Sequence, residues 1–385
     1  MLIGFTTENY RSFLQETSLS MVATADKEHR EFNVIHTEHE DLLKNILIYG
    51  ANASGKSNLI QALHYMKQMV GASFDVQTEL IKSCQPFTFR YDAKTLPTRF
   101  EISFLLDDVV YDYGFEILNG QINKEYLYKK AQRRTLVFER TAPSFESIKI
   151  TADMDDVASL KKNVRGDVLF LTWAAYTNNA LAIKVVDWIS KKLIILGAEQ
   201  RPAELSKSLN TFVQDFVRKA DSDIIEMKVQ RDGYYSSHNL YGSQWQPMGK
   251  IDVAFGDYSS EGTKRMFELS DAFASAIEGS ATIVIDEMDL HLHPALVRHL
   301  IAIINSIKNN PNNAQLICTT HDVLLLDEDV RRDQIWFVDK DEHGVSNLYA
   351  LSDFKDVRKN SDILKRYLLG VYGAIPNLDG GESDV

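Results

Sequence analysis

Residues 50–57 have the sequence Gly-Ala-Asn-Ala-Ser-Gly-Lys-Ser, which constrains the fold more than any other feature of the chain. The apolar run Asn45–Tyr49 before it has the composition of a buried strand, and residues 58–63 after it have helical spacing. A strand, a glycine loop and a helix in this order form the P-loop arrangement, in which backbone N–H groups point at phosphate oxygens. The sequence therefore predicts an α/β fold that binds a nucleotide through its phosphates.

The octapeptide is a full match to the Walker A pattern, which predicts a role for each of its residues. Lys56 is expected to reach the β- and γ-phosphates, and the Ser57 hydroxyl is expected to ligate Mg²⁺. The other candidate nucleotide-binding residues of this segment are Gly50, Asn52, Ala53, Ser54, Gly55 and Asn58. ATP and Mg²⁺ are the expected cofactors, although no base-specific motif separates ATP from GTP.

A second apolar run, Thr282–Ile285, ends in the adjacent carboxylates Asp286 and Glu287. Asp286 is predicted to hold Mg²⁺, directly or through water, as the Walker B aspartate. Glu287 is predicted to polarise the attacking water as a general base. A strand that ends in Asp-Glu is often only a strand leaving the core, but downstream of a P-loop it predicts a hydrolytic site.

Residues 258–264 have the sequence Tyr-Ser-Ser-Glu-Gly-Thr-Lys and precede a helical pattern. Here the chain resembles the ABC-type ATPases, whose signature of Leu-Ser-Gly-Gly-Gln type occupies this place. Ser260, Gly262 and Thr263 match signature positions, whereas Glu261 replaces a glycine. The resemblance implies that this surface contacts the γ-phosphate bound by a second copy, so that ATP lies within a homodimer. An ordinary serine N-cap is the alternative interpretation, and assembly beyond a dimer stays open.

Two further segments follow in the order of that family. Residues 288–294 occupy the place of its D-loop. His321 ends the next strand at the place of its switch histidine, which implies a hydrogen bond to the γ-phosphate or the attacking water.

The opening Asn-Tyr-Arg-Ser-Phe at residues 9–13 is similar to the RecF, SMC and OLD branch and implies that Arg11 lies by the nucleotide. Gln85 is the candidate Q-loop glutamine that senses Mg²⁺; a turn residue before proline is the alternative.

Two other polar clusters have simpler explanations. His291 and His293 lie two residues apart before a proline, without a clear third ligand, so a metal pair is not the favoured interpretation. Residues 339–344 (Asp-Lys-Asp-Glu-His-Gly) lie between two strand-like runs and indicate a hairpin turn rather than a nuclease carboxylate cluster.

The predicted elements divide the chain into three parts. Residues 1–95 form the N-terminal part of an ATPase head with Walker A, and residues 251–385 form its C-terminal part with the signature, Walker B and the switch histidine. Residues 96–250 form an insert, strand-rich to about residue 149 and helical from about 155 to 220. The predicted fold is an α/β P-loop NTPase of the ABC head type with a strand-rich N-terminal lobe and a helical insert.

The composition limits which cellular location and which binding partners are expected. The formal net charge is -12 and the sequence pI is near 5.4, so DNA stays open as a partner but is not what the charge predicts. Cys84 and Cys318 lie in apolar runs and are expected to be buried free thiols, as in a reducing cytosol. No run approaches the roughly 20 apolar residues of a membrane span. Residues 1–13 lack a secretory pattern, and a cytoplasmic location is expected.

Residues 365–376 are similar to the ending of a stand-alone bacterial group within the RecF/SMC/OLD-like branch. Members of that group occur as the ATPase half of abortive-infection and related phage-defence pairs (AbiL-like and PARIS-like). The resemblance implies a separate effector, such as a nuclease of TOPRIM or RloB type. The expected function is an ATP-hydrolysing switch that dimerises around ATP and controls this effector. The alternative is a RecF-like DNA-repair ATPase that clamps DNA; a transporter subunit fits the strand-rich insert poorly.

Overall fold

The computed structural model describes residues 1–197, 211–327, 330–355 and 362–376. The strands are β1 (Leu2–Glu8), β2 (Thr17–Ser20), β3 (Val34–Ile35), β4 (Leu42–Leu43), β5 (Asn45–Tyr49), β6 (Thr98–Leu106), β7 (Val109–Leu118), β8 (Gln121–Lys130), β9 (Arg134–Arg140), β10 (Ile148–Ile150), β11 (Leu193–Leu196), β12 (Glu226–Gln230), β13 (Gly233–Tyr241), β14 (Pro247–Ala254), β15 (Thr282–Ile285), β16 (Gln315–Thr319), β17 (Ile335–Lys340) and β18 (Ser346–Ala350). The helices are α1 (Arg30–Asn33), α2 (Lys56–Gly71), α3 (Phe74–Ser83), α4 (Phe170–Tyr176), α5 (Ala180–Lys192), α6 (Thr211–Ala220), α7 (Phe255–Tyr258), α8 (Glu261–Gly279), α9 (Pro294–Asn305) and α10 (Ile363–Leu368).

A six-stranded sheet in the order β11-β15-β16-β5-β17-β18 carries the predicted motifs. Neighbouring strands from β11 to β17 are parallel, and β18 returns antiparallel to β17 as the predicted hairpin. The residues of β5, β15 and β16 are all buried, which explains their continuous apolar runs. Because parallel strands end at one edge, the P-loop, Asp286 with Glu287, and His321 leave the sheet side by side.

The edge strand β11 differs from the expectation of a continuous helical pattern between residues 155 and 220. Helix α5 ends at Lys192, and the next four residues pair in parallel with β15, from Leu193↔Thr282 to Leu196↔Ile285. A run of four apolar residues is too short for periodicity to distinguish a strand from a buried helix end. The strand matters for the site because the Leu196 carbonyl accepts a hydrogen bond from the Asp286 N–H at 2.9 Å.

A second sheet of seven antiparallel strands, in the order β10-β9-β8-β7-β6-β1-β2, contains the hairpins predicted between residues 87 and 149. Strand β6 pairs with β1 along its length, so these hairpins extend a sheet that the N-terminal strands begin. Glu125 and Arg140 lie fully buried in this lobe.

The two faces of the central sheet support separate cores because strand side chains alternate in direction. Ile46 and Ile48 of β5 pack in the core that α2, α4, α5 and the seven-stranded sheet share. Leu47 and Tyr49 point to the opposite face, where α8, α9 and α10 cover them. Cys318 is buried on this second face, and Cys84 is half-buried; both are free thiols.

A small three-stranded sheet, β12-β13-β14, packs through Met227 against α6 and α8 and leads directly into α7 and α8. The turn between β17 and β18 is held by the Asp341 carboxylate, which accepts the N–H groups of His343 and Val345 at 2.9 Å. Within the described ranges, no helix has the length and apolar character needed to cross a membrane.

Candidate functional site

The P-loop between β5 and α2 has the tight backbone that its glycines predict. A Cβ atom at Gly50 would stand 2.6 Å from the Ser54 hydroxyl and closer still to the Val338 carbonyl. Gly55 has φ of 119°, and a Cβ there would stand 2.9 Å from the Ser12 hydroxyl. No other residue type fits either position, so the loop can bring its N–H groups around a small anion at the start of α2.

The Lys56 ammonium group is folded back over this loop. Its Nζ donates to the carbonyl oxygens of Gly50 at 2.8 Å and Ala51 at 3.0 Å. Burial lowers the pKa of Lys56, while the negative charges of Asp286 and Glu287 raise it. The lysine therefore lies between the loop backbone and the Walker B carboxylates, where a phosphate oxygen could replace its carbonyl partners.

Two serines far away in the sequence support the loop from behind. The Ser346 N–H donates to the Ser12 carbonyl at 2.8 Å, and the two side-chain hydroxyls are 2.8 Å apart. Asn58, a predicted nucleotide-binding residue, donates from its side chain to the Ser12 hydroxyl at 2.8 Å. Sequence analysis did not identify Ser346, because nothing in the sequence shows that β18 lies beside the P-loop.

Asp286 and Glu287 are held by one hydroxyl. Thr319 Oγ1 donates to Asp286 Oδ1 at 2.7 Å and accepts the Glu287 N–H at 2.7 Å. Thr319 is fully buried at the end of β16, Asp286 is buried, and Glu287 is half-buried. Sequence analysis did not identify Thr319; the signal that could have found it is its position at the end of the strand before His321.

His321 follows β16 and is tied to the segment after Glu287. The Asp289 carboxylate accepts the His321 N–H, with its two oxygens at 3.1 and 3.2 Å. Burial lowers the pKa of His321, and Lys56 lowers it further, while Asp289 and Glu287 oppose this shift. The structure thus places Lys56, Asp286, Glu287 and His321 at the same edge of the central sheet, and the lowered pKa favours a neutral imidazole near neutral pH.

Arg11 and Gln85 meet on the other side of the P-loop helix. The Arg11 N–H donates to the Gln85 carbonyl at 2.9 Å, and the guanidinium hydrogen-bonds Gln61 of α2. Arg11 adopts φ of 51°, which is uncommon for a residue with a side chain. The Gln85 side chain is exposed, so its predicted contact with Mg²⁺ depends on a rotation toward the site.

The turn from Ser260 to Thr263 has the geometry of a serine N-cap. A serine N-cap was the alternative interpretation of the signature segment. Ser260 Oγ accepts the Thr263 N–H at 3.1 Å and begins the 19-residue helix α8. A Cβ atom at Gly262 would stand 2.8 Å from the His291 carbonyl, so the glycine permits close packing against the D-loop segment. Among the described residues, no hydrogen bond joins this turn to the P-loop of the same chain.

Helix α8 also carries a buried cation that sequence analysis missed. Arg265 is 6% exposed, and its Nη1 lies 3.6 Å from Glu268. Its Nε and Nη2 atoms are buried without hydrogen-bond partners. Burial lowers the pKa of Arg265, and the charges of Glu268, Asp286 and Glu287 raise it. The only sequence signal for this residue was its place two positions after Thr263.

His291 and His293 have separate roles in the structure. His291 is exposed with φ of 63°, and His293 Nδ1 accepts the Ala295 N–H at 3.2 Å as the N-cap of α9. Within the described ranges, no three His, Cys, Asp or Glu side chains lie together in a group that could hold a metal ion.

The arrangement fits a nucleoside triphosphate with Mg²⁺. Ser54 Oγ is buried in the P-loop without a hydrogen-bond partner, so a phosphate oxygen could bind there. Mg²⁺ in nucleotide sites takes one or two protein oxygens and completes its shell with phosphate and water. The Ser57 hydroxyl and Asp286 would supply those oxygens.

The chain was matched to head domains of known structure along most of its length. Solved structures with a similar fold include the SMC head domain from Thermotoga maritima, with 15% identity, 91% of this chain and 98% of that chain covered, and a TM-score of 0.43. Another is the Smc head domain with an extended coiled coil bound to the C-terminal domain of ScpA, derived from Pyrococcus furiosus, with 14% identity, 91% and 96% covered, and a TM-score of 0.45. No curated protein sequence matches the chain.

A family model described as "AAA domain, putative AbiEii toxin, Type IV TA system" matches residues 46–327. This match includes the P-loop, Walker B and His321. It confirms the predicted α/β P-loop ATPase class and the resemblance to the RecF/SMC/OLD-like branch and its abortive-infection ATPases. Because the match spans most of the chain, the protein belongs to this family of AAA domains described as putative AbiEii toxins of type IV toxin–antitoxin systems.

Proposed function

We propose that the protein is an ATP-hydrolysing switch in which two copies close on two ATP molecules and hydrolysis reopens them. The observation that carries the proposal is the meeting of the P-loop, the Walker B carboxylates and His321 at one edge of the central sheet. Each of these groups comes from a different strand end, as expected for a nucleotide site on a parallel sheet.

Each group has a distinct part in the proposed reaction. The P-loop N–H groups and Lys56 bind the phosphates. Ser57 and Asp286 would hold Mg²⁺, which would supply positive charge beside the transferred phosphoryl group. Glu287 orients the attacking water and accepts its proton. Because its pKa is lowered, the His321 imidazole is neutral, and one of its ring nitrogens donates while the other accepts. The ring would hydrogen-bond the γ-phosphate or the attacking water.

Helix α8 is the element that would contact the ATP bound by the second copy. The Ser260–Thr263 turn presents N–H groups, hydroxyls and the positive end of a 19-residue helix dipole, all of which favour an anion. By its resemblance to the signature of ABC-type ATPases, the anion that this turn would bind is the γ-phosphate held by another copy. The close contact of Gly262 with the His291 carbonyl would then transmit closure to the segment after Glu287.

The output of the switch is proposed to be control of a separate effector in bacterial anti-phage defence, in the cytoplasm. The family description, which names a toxin of a type IV toxin–antitoxin system, supports a role in such a paired system. A nuclease of TOPRIM or RloB type is the proposed effector. Residues 96–250 are the proposed route by which the nucleotide state reaches this partner.

The test is the solution mass of a Glu287→Gln variant with and without ATP and Mg²⁺. This change keeps the P-loop intact and removes the base, so the closed assembly accumulates if the proposal is right. The expected result is a monomer without nucleotide and a dimer with ATP, measured by light scattering. Wild-type protein should release phosphate from ATP, and the variant should not.

Ser260→Arg in the same Glu287→Gln background tests the role of the signature turn. It should abolish the dimer while ATP binding stays within about threefold, a limit that represents less than 1 kcal/mol. Ser275→Arg, an exposed position on the same helix, is the matched control and should leave the dimer intact. A protein that stays monomeric with ATP, or that has the same oligomeric mass with and without it, would contradict ATP-driven dimerisation.

A further inference from the structure

Thr319 makes two short hydrogen bonds that join the two strand ends of the candidate active site. Its hydroxyl donates to Asp286 Oδ1 at 2.7 Å and accepts the Glu287 N–H at 2.7 Å. Its own carbonyl accepts the Met288 N–H at 3.0 Å. The residue is fully buried, and β15 and β16 run in parallel register beside it, with Ile285 opposite Cys318. Three consecutive residues after β15 are therefore held by one residue of β16.

The backbone of Glu287 needs such a partner. Its φ is 52°, a left-handed conformation that is unfavourable for a residue with a side chain. The N–H of Glu287 points at Thr319 rather than into a helix or sheet ladder, so the hydroxyl satisfies it and fixes the direction in which the side chain leaves the strand. A valine at position 319 would have the same shape but would leave this N–H without its partner.

The same hydroxyl orients the Asp286 carboxylate. Because Oδ1 accepts the Thr319 hydrogen, Oδ2 is the oxygen available to a cation or to a water bound by it. The hydroxyl has one hydrogen, and the Glu287 N–H occupies an acceptor site, so the direction of both bonds is determined. Thr319 thereby sets the positions of the proposed metal ligand and the proposed base together.

We propose that Thr319 is the positioning residue of the ATPase site, which holds Asp286 and Glu287 in their working geometry without contacting the nucleotide. This inference rests on the hydrolytic function proposed above. It predicts a specific defect: loss of the hydroxyl should slow turnover and weaken the response to Mg²⁺, while ATP binding through the P-loop persists. A residue that only supported the fold would instead change stability and binding together.

The experiment compares Thr319→Val with Thr319→Ser. Thr319→Val should lower kcat about 100-fold, the size expected when catalytic groups move by about 1 Å. It should also raise the Mg²⁺ concentration for half-maximal ATP binding by about tenfold, while ATP affinity at saturating Mg²⁺ stays within about threefold. Thr319→Ser retains the hydroxyl and should recover kcat to within about tenfold of wild type.

Thr282→Val is the matched control, because Thr282 is equally buried at the other end of β15, where its hydroxyl bonds Gln315 at 3.2 Å. It should leave kcat and the Mg²⁺ response unchanged. Thr319→Val with wild-type kcat and Mg²⁺ response, or Thr319→Ser as defective as Thr319→Val, would overturn the inference. If wild-type protein hydrolyses no ATP, the proposed hydrolytic function fails, and the Mg²⁺ response of ATP binding then decides the role of Thr319 by itself.

Discussion

Gly55 is the position at which the backbone of the site tolerates substitution least. Its φ of 119° lies outside the range open to residues with a side chain, and the Ser12 and Ser346 hydroxyls fill the space that a Cβ would need. The two serines cannot move apart freely, since they hydrogen-bond each other and Ser346 also bonds the Ser54 carbonyl. The conformation of the loop is thus set by packing from behind as well as by its glycines.

A Gly55→Ala variant is accordingly expected to lose ATP binding by at least about tenfold, because the loop N–H groups can no longer converge on phosphate. Titration with a fluorescent ATP analogue measures this loss. Gly256→Ala in α7 is the control: a Cβ there meets nothing within 4 Å and should leave affinity unchanged. Equal affinity in Gly55→Ala would show that phosphate binding does not need the observed loop conformation.

The residues that sequence analysis could identify are those whose chemistry is encoded locally. Lys56 follows a glycine loop, and Glu287 follows an apolar strand, so their roles could be predicted from neighbours in the chain. Thr319 and Ser346 could not be identified in this way, because their function depends on which strands lie beside them. Ser346 is separated from its partner Ser12 by 334 positions, and no local pattern reports such a pairing.

The strands of the N-terminal lobe are joined by a buried ion pair. Glu125 on β8 and Arg140 on β9 are both fully buried, with Nη1 and Oε2 4.0 Å apart. Glu125 accepts the N–H groups of Phe170 and Leu171 at the start of α4, at 2.7 and 2.9 Å. Burial raises the pKa of Glu125, and Arg140 lowers it. The pair thus connects two strands of the antiparallel sheet to a helix of the insert.

Arg140 also donates to the carbonyl oxygens of Val168 at 2.8 Å and of Ala142 and Arg165 at 3.1 Å. Arg140→Met should therefore lower the free energy of unfolding by about 3–5 kcal/mol, because it leaves the Glu125 carboxylate buried without its counter-ion. Urea unfolding followed by circular dichroism measures this change. Arg134→Met on the same strand removes a half-exposed pair with Asp112 and should cost no more than about 1 kcal/mol. Similar costs for both variants would contradict this assignment.

Helices and strands could be predicted from the sequence where their apolar residues repeat with a clear period or where a proline or turn residue marks their end. Helix α9 begins at Pro294, a residue that suits the first helical turn, and the hairpins of the antiparallel sheet follow from alternation and turn residues. Strand β11 could not be predicted, because four apolar residues directly after α5 continue the composition of the helix. Its assignment to the central sheet is decided by pairing with β15, which is a tertiary contact.

The charge of the whole molecule is arranged in a way that disfavours nucleic acid. The net charge of -12 already opposes binding to phosphates, and the basic residues between positions 129 and 134 are largely paired. Lys129 bonds Asp153 at 2.5 Å, Lys130 lies 3.9 Å from Glu40, and Arg134 bonds Asp112 at 2.9 Å. Three of the four basic residues in this segment are thus paired with carboxylates of the same chain.

DNA binding distinguishes the proposed effector switch from the RecF-like DNA clamp, because only the clamp needs a surface that binds DNA. The Glu287→Gln variant with ATP and Mg²⁺ is the form in which a clamp would hold DNA, so fluorescence anisotropy with labelled duplex DNA should be measured on that form. We expect no saturable binding at about 50 or about 200 mM salt, because the net charge of -12 opposes binding to the phosphates of DNA. A DNA affinity that appears only with ATP, and that falls steeply between the two salt concentrations, would support the clamp. It would mean that closure of the two copies creates a basic surface. The same measurement on the nucleotide-free variant distinguishes such a surface from a weak basic patch present in the single chain.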